Sequence, residues 1–294
     1  MNALKKIHEI SNMLTDCGIE TANKEAQVLV TYCLGIEQVG LYKSNPPLDD
    51  KQIIEIDAMA GRRCKREPLQ YILGYSYFMG LRILVGSGVL IPRPETELMA
   101  EHAIQKVRSK KSEVRSQNNC NMRILDLCTG SGCLALALAR EFPDAHVLGT
   151  DISETALDYS KRNAVLNKIN NVEFVRGHLF DPLYRQDSPA PLYDFIISNP
   201  PYIGTDVIPT LQPEIRNWEP VGALDGGADG LTFYREIITQ AGKFLKTNGI
   251  LMLELGLGSA DETVRMMKDA GYAEIGLQKD YAGIERILQG KWTN

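Results

Sequence analysis

A mostly parallel, doubly wound α/β sheet, preceded by a small helical domain and a β-linker, is the fold that this 294-residue chain predicts. Three observations predict it. Before residue 67 the apolar residues recur only at helical spacing; from Arg123 onward short β-branched runs alternate with helical ones; and the last two such runs have no helix between them. Strict βα alternation builds a parallel sheet with helices on both faces, and a closing hairpin adds an antiparallel edge.

In order along the chain, Leu4, Ile7, Ile10 and Leu14 form one helical stripe, and Ala26, Leu29, Val30 and Cys33 form another. Asp49 and Gln52 have the spacing of a capping box ahead of Ile53, Ile56 and Ala60. Residues 1–67 therefore read as a helical domain. Pro68 to Val85 is rich in aromatic, β-branched and glycine residues, which predicts strand and hairpin, so residues 68–94 read as a β-hairpin linker. Ile91-Pro92-Arg93-Pro94-Glu95-Thr96-Glu97 closes it and starts a helix through about Val107. Ser109 to Met122 is polar and Asn-rich, a flexible loop by composition. Within the large domain, 95–294, seven strands are predicted: Arg123–Leu127, His146–Thr150, Val172–Val175, Tyr193–Ser198, Gly249–Leu255, Ala273–Gln278 and Glu285–Gln289. Helices begin near Gly132, Ser153 and Leu231, and one spans Ala260–Ala270.

Two segments carry chemistry. Strand Tyr193–Ser198 runs into Asn199-Pro200-Pro201-Tyr202. Two consecutive prolines remove two ladder donors and fix φ twice, so the chain must leave the sheet rigidly there. That exit presents the Asn199 side chain and the Pro200 carbonyl as acceptors, with the Tyr202 ring as a stacking surface, a clamp suited to a planar –NH2 group. An ordinary Pro-Pro loop exit is the bland alternative; the strand before it and the glycine loop upstream favour the clamp. In that loop Cys128-Thr129-Gly130-Ser131-Gly132 lies between a strand and a helix, where glycine permits close backbone approach and the helix start offers free N–H groups. Asp151 ends the next strand, in the position that binds ribose hydroxyls in such folds. Gly130-x-Gly132-x-x-Ala135 also satisfies a dinucleotide fingerprint. Asp126, inside the strand before the glycines, favours S-adenosylmethionine (SAM) over NAD, since a carboxylate there attracts an ammonium and repels a pyrophosphate. His178 reads as a loop residue rather than a base. An amide nitrogen held by two acceptors needs no strong base before it attacks a methyl sulfonium.

Composition narrows the partners. A net charge of −5 and a pI of about 5.5 lack the electrostatic footprint of a duplex-DNA binder. No run approaches a membrane span and Met1–Lys6 is not followed by a signal-peptide core, so a cytoplasmic protein is expected. The six cysteines, 17, 33, 64, 120, 128 and 133, show no CxxC pair or His cluster, which predicts reduced thiols and no metal.

With these residues in hand the sequence resembles the HemK/PrmC family of protein N5-glutamine methyltransferases over nearly its whole length. Pro68-x-Gln70-Tyr71-x-x-Gly74 with Phe78-x-Gly80, the Ile91–Glu97 segment, Asn199 to Ile203 and Glu219-Pro220 carry the resemblance. Ala223-Leu224-Asp225-Gly226-Gly227-x-Asp229-Gly230-Leu231 and Lys279-Asp280-Tyr281-x-Gly283-Ile284-x-Arg286 continue it. The resemblance implies a Rossmann-like SAM-dependent methyltransferase domain, S-adenosylhomocysteine as coproduct, and methylation of the glutamine in the Gly-Gly-Gln motif of class-I peptide chain release factors. It places Cys128 to Gly132 at the cofactor, Asp151 on the ribose, Leu179 against the adenine, Asn199 to Tyr202 on the glutamine, and Arg93 to Glu97 near the mouth. Cys128 departs from the family's glycine and Leu179 from its frequent aromatic residue. A ribosomal-protein glutamine methyltransferase shares the clamp. So does a DNA adenine N6-methyltransferase, against which the net charge counts. A nicotinamide dehydrogenase leaves the clamp unexplained, and a non-catalytic adaptor leaves both segments unexplained.

Overall fold

The computed structural model describes residues 1–113, 122–184 and 192–293. Helices α1 (Ala3–Asp16), α2 (Ala22–Leu34), α3 (Gln38–Ser44), α4 (Asp50–Cys64) and α5 (Leu69–Leu73) lead, followed by a hairpin of β1 (Tyr75–Phe78) and β2 (Leu81–Leu84). Then come α6 (Pro94–Glu113), β3 (Arg123–Leu127), α7 (Cys133–Glu141), β4 (His146–Asp151), α8 (Glu154–Leu166) and β5 (Val172–Arg176). The chain continues with α9 (Asp181–Tyr184), β6 (Tyr193–Ser198), α10 (Pro213–Arg216), α11 (Thr232–Ala241), β7 (Leu245–Glu254), α12 (Ala260–Asp269), β8 (Tyr272–Lys279) and β9 (Glu285–Trp292).

By its contacts the chain divides into two compact units, Met1–Tyr75 with Gln212–Trp218, and Ser76–Leu211 with Glu219–Asn294. In the first unit the stripes of α1, α2 and α4 meet in a core of Ile7, Ile10, Leu14, Leu29, Val30 and Ile56. Asp49 and Gln52 close the expected capping box at the head of α4. The buried Arg63 guanidinium lies 2.6 Å from Glu25 and 3.0 Å from Glu214, and Arg66 reaches the same Glu214 at 2.8 Å.

The second unit is built on a seven-stranded sheet of order β5-β4-β3-β6-β7-β9-β8. Strands β5 to β7 are parallel, and β9 runs antiparallel to both β7 and β8. Strand order reverses at β3, with β4 on one side and β6 on the other, which makes the carboxyl ends of β3 and β6 the switch point where ligands bind in open α/β sheets. Leu125, Ile196, Leu251, Leu253 and Leu288 fill the core with Tyr234 and Phe244. Helix α7 is buried from Cys133 to Ala139, which explains its unbroken apolar sequence.

Three expectations need correction. Residues 69–73 form a helical turn rather than a strand, because the hairpin starts only after Gly74 closes α5 in the left-handed conformation. Ser109 to Glu113 continue α6 instead of opening a loop; the rest of that loop, residues 114–121, lies outside the described residues. Nor are all the thiols reduced. Cys17 and Cys64, at the C-terminal ends of α1 and α4, are joined by a disulfide with their Cα atoms 5.3 Å apart. Packing of α1 against α4 brings together two cysteines 47 residues apart in the chain, and spacing alone does not reveal that. Cys33, Cys128 and Cys133 are free thiols, and Cys120 lies outside the described residues.

Candidate active site

Above the switch point lies a cavity of about 250 Å³. The β3–α7 turn supplies its floor: Cys128, Thr129, Gly130 and Ser131 all line it. Cys128 and Gly130 both take positive φ, 58° and 55°, so the turn is tight at two points, one of them strained for a residue with a Cβ. A Cβ at Gly130 would meet nothing nearer than the Cys128 carbonyl at 4.0 Å, so the backbone is open to a ligand there. Gly132 is different. It does not line the cavity, and a Cβ on it would come within 2.9 Å of Ser160 and 3.0 Å of Phe174. Its glycine serves the packing of the turn on α8 and β5.

The carboxylates divide the work. Asp151, at the end of β4, faces the cavity while accepting from the N–H groups of Gly130 and Ser153, both at 2.8 Å. Burial raises its pKa above the ordinary carboxylate range. Asp126 does not line the cavity at all. It is 1% exposed, and its Oδ2 accepts from the Thr129 hydroxyl at 2.6 Å and the Ala135 N–H at 3.1 Å. Burial pushes its pKa up to about 7. The ammonium-facing role expected of Asp126 is therefore replaced by another: it ties the turn to the first residues of α7 from beneath.

Leu179 and His178 form part of the opposite wall. Leu179 is buried with φ 43°, and its carbonyl accepts from the Thr150 hydroxyl at 3.1 Å. His178 pairs through Nε2 with Glu236 at 2.7 Å, which occupies that nitrogen.

Where β6 ends, Asn199 and Pro201 line the same cavity, whereas Pro200 and Tyr202 do not. Asn199 Nδ2 donates to Thr96 Oγ1 at 3.1 Å, so the Oδ1 end of the amide is the acceptor end. The Tyr202 hydroxyl donates to Glu254 Oε1 at 3.2 Å, and its ring packs so close to Gly256 that a Cβ there would meet it at 2.9 Å. In place of the expected stacking surface, the ring anchors the exit loop. Behind that loop Ile203 N–H donates to Leu224 O at 2.9 Å and Gly226 N–H to Ile203 O at 2.8 Å. A Cβ at Gly226 would lie 2.7 Å from Tyr202 Cα, so the Ala223–Leu231 motif is glycine-rich because it braces the exit at backbone distance.

Arg93 and Thr96 also line the cavity, and Arg93 pairs with buried Glu219 at 2.6 Å. Sequence reasoning put Arg93 to Glu97 only near the mouth and missed Glu254. The available signal was an acid ending the buried run Ile250-Leu251-Met252-Leu253, since a carboxylate in such a run needs partners. Among the described residues no group of three or more His, Cys, Asp or Glu could hold a metal ion, and no helix is long and apolar enough to cross a membrane.

Residues 118–286 match the family model described as a methyltransferase domain, which agrees with the sheet order and with a cavity at its switch point. The N-terminal domain of human METTL16 has a similar fold, with a TM-score of 0.53 and 18% identity over 85% of each chain. Fold and site thus define the class: a Rossmann-like methyltransferase. Residues 6–74 match the PrmC N-terminal domain. The release factor glutamine methyltransferase of Thermodesulfovibrio yellowstonii is 42% identical over 288 residues, 98% of this chain and 97% of that protein. The one from Geobacter sulfurreducens is 39% identical, over 95% of this chain and 92% of its own. The chain belongs to the HemK/PrmC family, the release factor glutamine methyltransferases.

Proposed function

We propose that the chain transfers a methyl group from S-adenosylmethionine to the side-chain amide nitrogen (N5) of the glutamine in the Gly-Gly-Gln motif of class-I peptide chain release factors. The observation that carries this reading is the Asn199 amide, committed through Nδ2 to Thr96 and so offering its acceptor end to a substrate –NH2. The names of the relatives and the N-terminal family match support the choice of release factors.

The residues fit the cofactor. Gly130 leaves its backbone approachable, Asp151 offers a carboxylate to a pair of hydroxyls, and Leu179 supplies an apolar wall for a flat ring. When bound, S-adenosylmethionine supplies a methyl on a sulfonium, which leaves with little activation and yields S-adenosylhomocysteine. The protein's task is to present a poor nucleophile. Asn199 Oδ1, which faces the cavity, would accept one N–H of the glutamine amide, and the Pro200 carbonyl, just outside the cavity lining, the other, so that the nitrogen is held for attack on the methyl. The nitrogen lone pair forms the new N–CH3 bond as the S–CH3 bond breaks, and the N–H proton, acidified by the transfer, passes to solvent. Positioning of this kind is worth up to ~7–11 kcal/mol, and acceptors aimed at the developing positive charge add electrostatic stabilisation. Pro201 walls the cavity, and Tyr202 holds the exit rigid through Glu254. Residues 1–67 act as the docking domain for the release factor, residues 68–94 as its linker, and residues 95–294 as the catalytic domain. The reaction takes place in the cytoplasm, with a protein substrate and neither a stable nucleic-acid nor a membrane partner.

Intact-mass and peptide mass spectrometry on a bacterial release factor incubated with this protein and S-adenosylmethionine tests the reading. One added methyl on the Gly-Gly-Gln glutamine, absent when that glutamine is replaced, is the expected result. An unmodified release factor under conditions where S-adenosylmethionine binds overturns it.

A further inference from the structure

The sheet brings an acid and a hydroxyl from distant parts of the chain up to the clamp. Glu254 ends β7, beside β6, and only 1% of it is exposed. Its Oε2 accepts from the Thr96 hydroxyl at 2.7 Å, and Thr96, 2% exposed, lies in the first turn of α6. Thr96 Oγ1 in turn accepts from Asn199 Nδ2 at 3.1 Å. Glu254 Oε1 accepts from the Tyr202 hydroxyl, so both ends of the Asn-Pro-Pro-Tyr exit hang on one carboxylate. The Tyr234 hydroxyl donates to the Glu254 carbonyl at 2.8 Å and fixes the strand end itself.

A threonine hydroxyl has one proton. An ionised carboxylate is acceptor-only, so the Thr96 proton must point to Glu254, and the side of Thr96 that faces Asn199 can then only accept. That forces the –NH2 end of Asn199 toward Thr96 and its oxygen the other way. We propose that Glu254 and Thr96 are positioning residues for the methyl transfer. Glu254, acting through the single proton of Thr96, sets which end of the Asn199 amide meets the substrate. The proposal rests on the glutamine-methylating reading of the clamp and deepens it.

The chain of polarity reverses when Glu254 is protonated. A carboxylic acid can donate to Thr96 Oγ1, which frees the threonine proton to turn toward Asn199 and favours the flipped amide, whose –NH2 end repels a substrate –NH2. Burial pushes the Glu254 pKa up to about 7, so the reversal falls within the working range of pH. The charged and titratable groups around it are Glu95 on α6, Tyr202 after β6, Tyr234 on α11, Cys133 at the head of α7, and Arg286 on β9. Glu95 raises the Glu254 pKa, and Arg286 lowers it.

Two measurements on the full chain test this. The first follows the Asn199 side-chain NH2 resonances in ¹⁵N–¹H spectra, assigned with Asn199→Ala, from pH 5.5 to 8.5 without substrate. They should titrate with a midpoint near 7 in the wild type and stay flat in Glu254→Gln and Thr96→Val; a flat wild-type titration overturns the relay. The second is the pH profile of release-factor methylation at saturating S-adenosylmethionine. Wild-type kcat should rise about tenfold between pH 6 and 8. Thr96→Val and Glu254→Gln should both lose that limb, and Thr96→Val at least tenfold of kcat at pH 8 as well, with cofactor affinity and release-factor KM within severalfold. Thr96→Ser, which keeps the hydroxyl, should restore both. Variants with wild-type profiles would refute the relay alone, whereas an inactive wild type would refute the release-factor reading and leave the spectral titration to decide the relay.

Discussion

Replacing Asp126 with asparagine separates two roles for the carboxylate inside β3. Both bonds that Asp126 accepts, from the Thr129 hydroxyl and the Ala135 N–H, end on one oxygen, Oδ2. An asparagine with its Oδ1 in that place keeps both, so Asp126→Asn removes the charge and little else. The charge is costly. Burial raises the pKa from 3.8 to about 7, so between those values the folded protein holds a proton that the unfolded chain has lost. Stability from this group is then full below pH 4 and falls as pH rises to 7. At 1.36 kcal/mol per unit the loss is ~4 kcal/mol above pH 7 and ~1.5 kcal/mol at pH 5. Urea unfolding of wild type and Asp126→Asn at pH 5 and pH 8 should show the variant gaining on the wild type by ~2–3 kcal/mol across that interval. Titration calorimetry should find S-adenosylmethionine affinity within severalfold of wild type. If affinity fell more than tenfold while the stability difference ignored pH, the carboxylate would be an ammonium ligand after all and the supporting role assigned here would be wrong. Asp126→Ala is the contrasting variant. It strands a buried hydroxyl and a buried N–H, a cost of ~2–4 kcal/mol that the loss of the buried charge offsets increasingly as pH rises from 5 to 8, and it loosens the turn that the cofactor needs.

Asn199→Ala should leave S-adenosylhomocysteine affinity within severalfold while kcat for release-factor methylation drops by at least a hundredfold, because only the aligned nucleophile is lost; near-wild-type turnover would sink the clamp. Gly132→Ala combines φ +80° with Cβ contacts of 2.9 and 3.0 Å to Ser160 and Phe174. Thermal unfolding should report a loss of ~2–4 kcal/mol, where a Tm unchanged within a degree would contradict the packing argument.

The sheet was legible because its strands are buried on both faces and bounded by helices of a different period. Arg123–Leu127 and Tyr193–Ser198 have the bounds read from their sequence, and the sheet places them side by side. Strand β7 starts earlier than its apolar run, at Leu245, because Leu245 pairs with Tyr193 ahead of an irregular stretch, in which Asn248 takes φ 65°, before regular pairing with β6 resumes at Ile250. Residues 69–73 differ from the strand their composition predicts because aromatic and β-branched residues also suit a buried helical turn, as Tyr71 and Ile72 do. Within the site, the glycine turn and the Asn-Pro-Pro-Tyr exit announce themselves through backbone constraints written in consecutive residues. Thr96 and Glu254 do not: 158 positions separate them, and only the adjacency of α6, β6 and β7 joins them to Asn199. Asp126 was seen as an acid, but which way it faced depended on a hydroxyl three residues on and an N–H nine residues on.

The helical unit has a history that its residue numbers conceal. It is assembled from Met1–Tyr75 and from Gln212–Trp218, so its second piece is synthesised after most of the parallel sheet. Arg63 can meet Glu25 as soon as α2 and α4 exist, but both Arg63 and Arg66 wait for Glu214, roughly 150 residues later in the chain. Long-range closures of this kind slow folding, because the entropy of the intervening loop is lost before the contact forms. During synthesis the first 75 residues are therefore a bundle with two guanidinium groups short of an acid, and it becomes complete only when α10 arrives. A fragment ending at Tyr75 is for the same reason not the unit found in the whole protein.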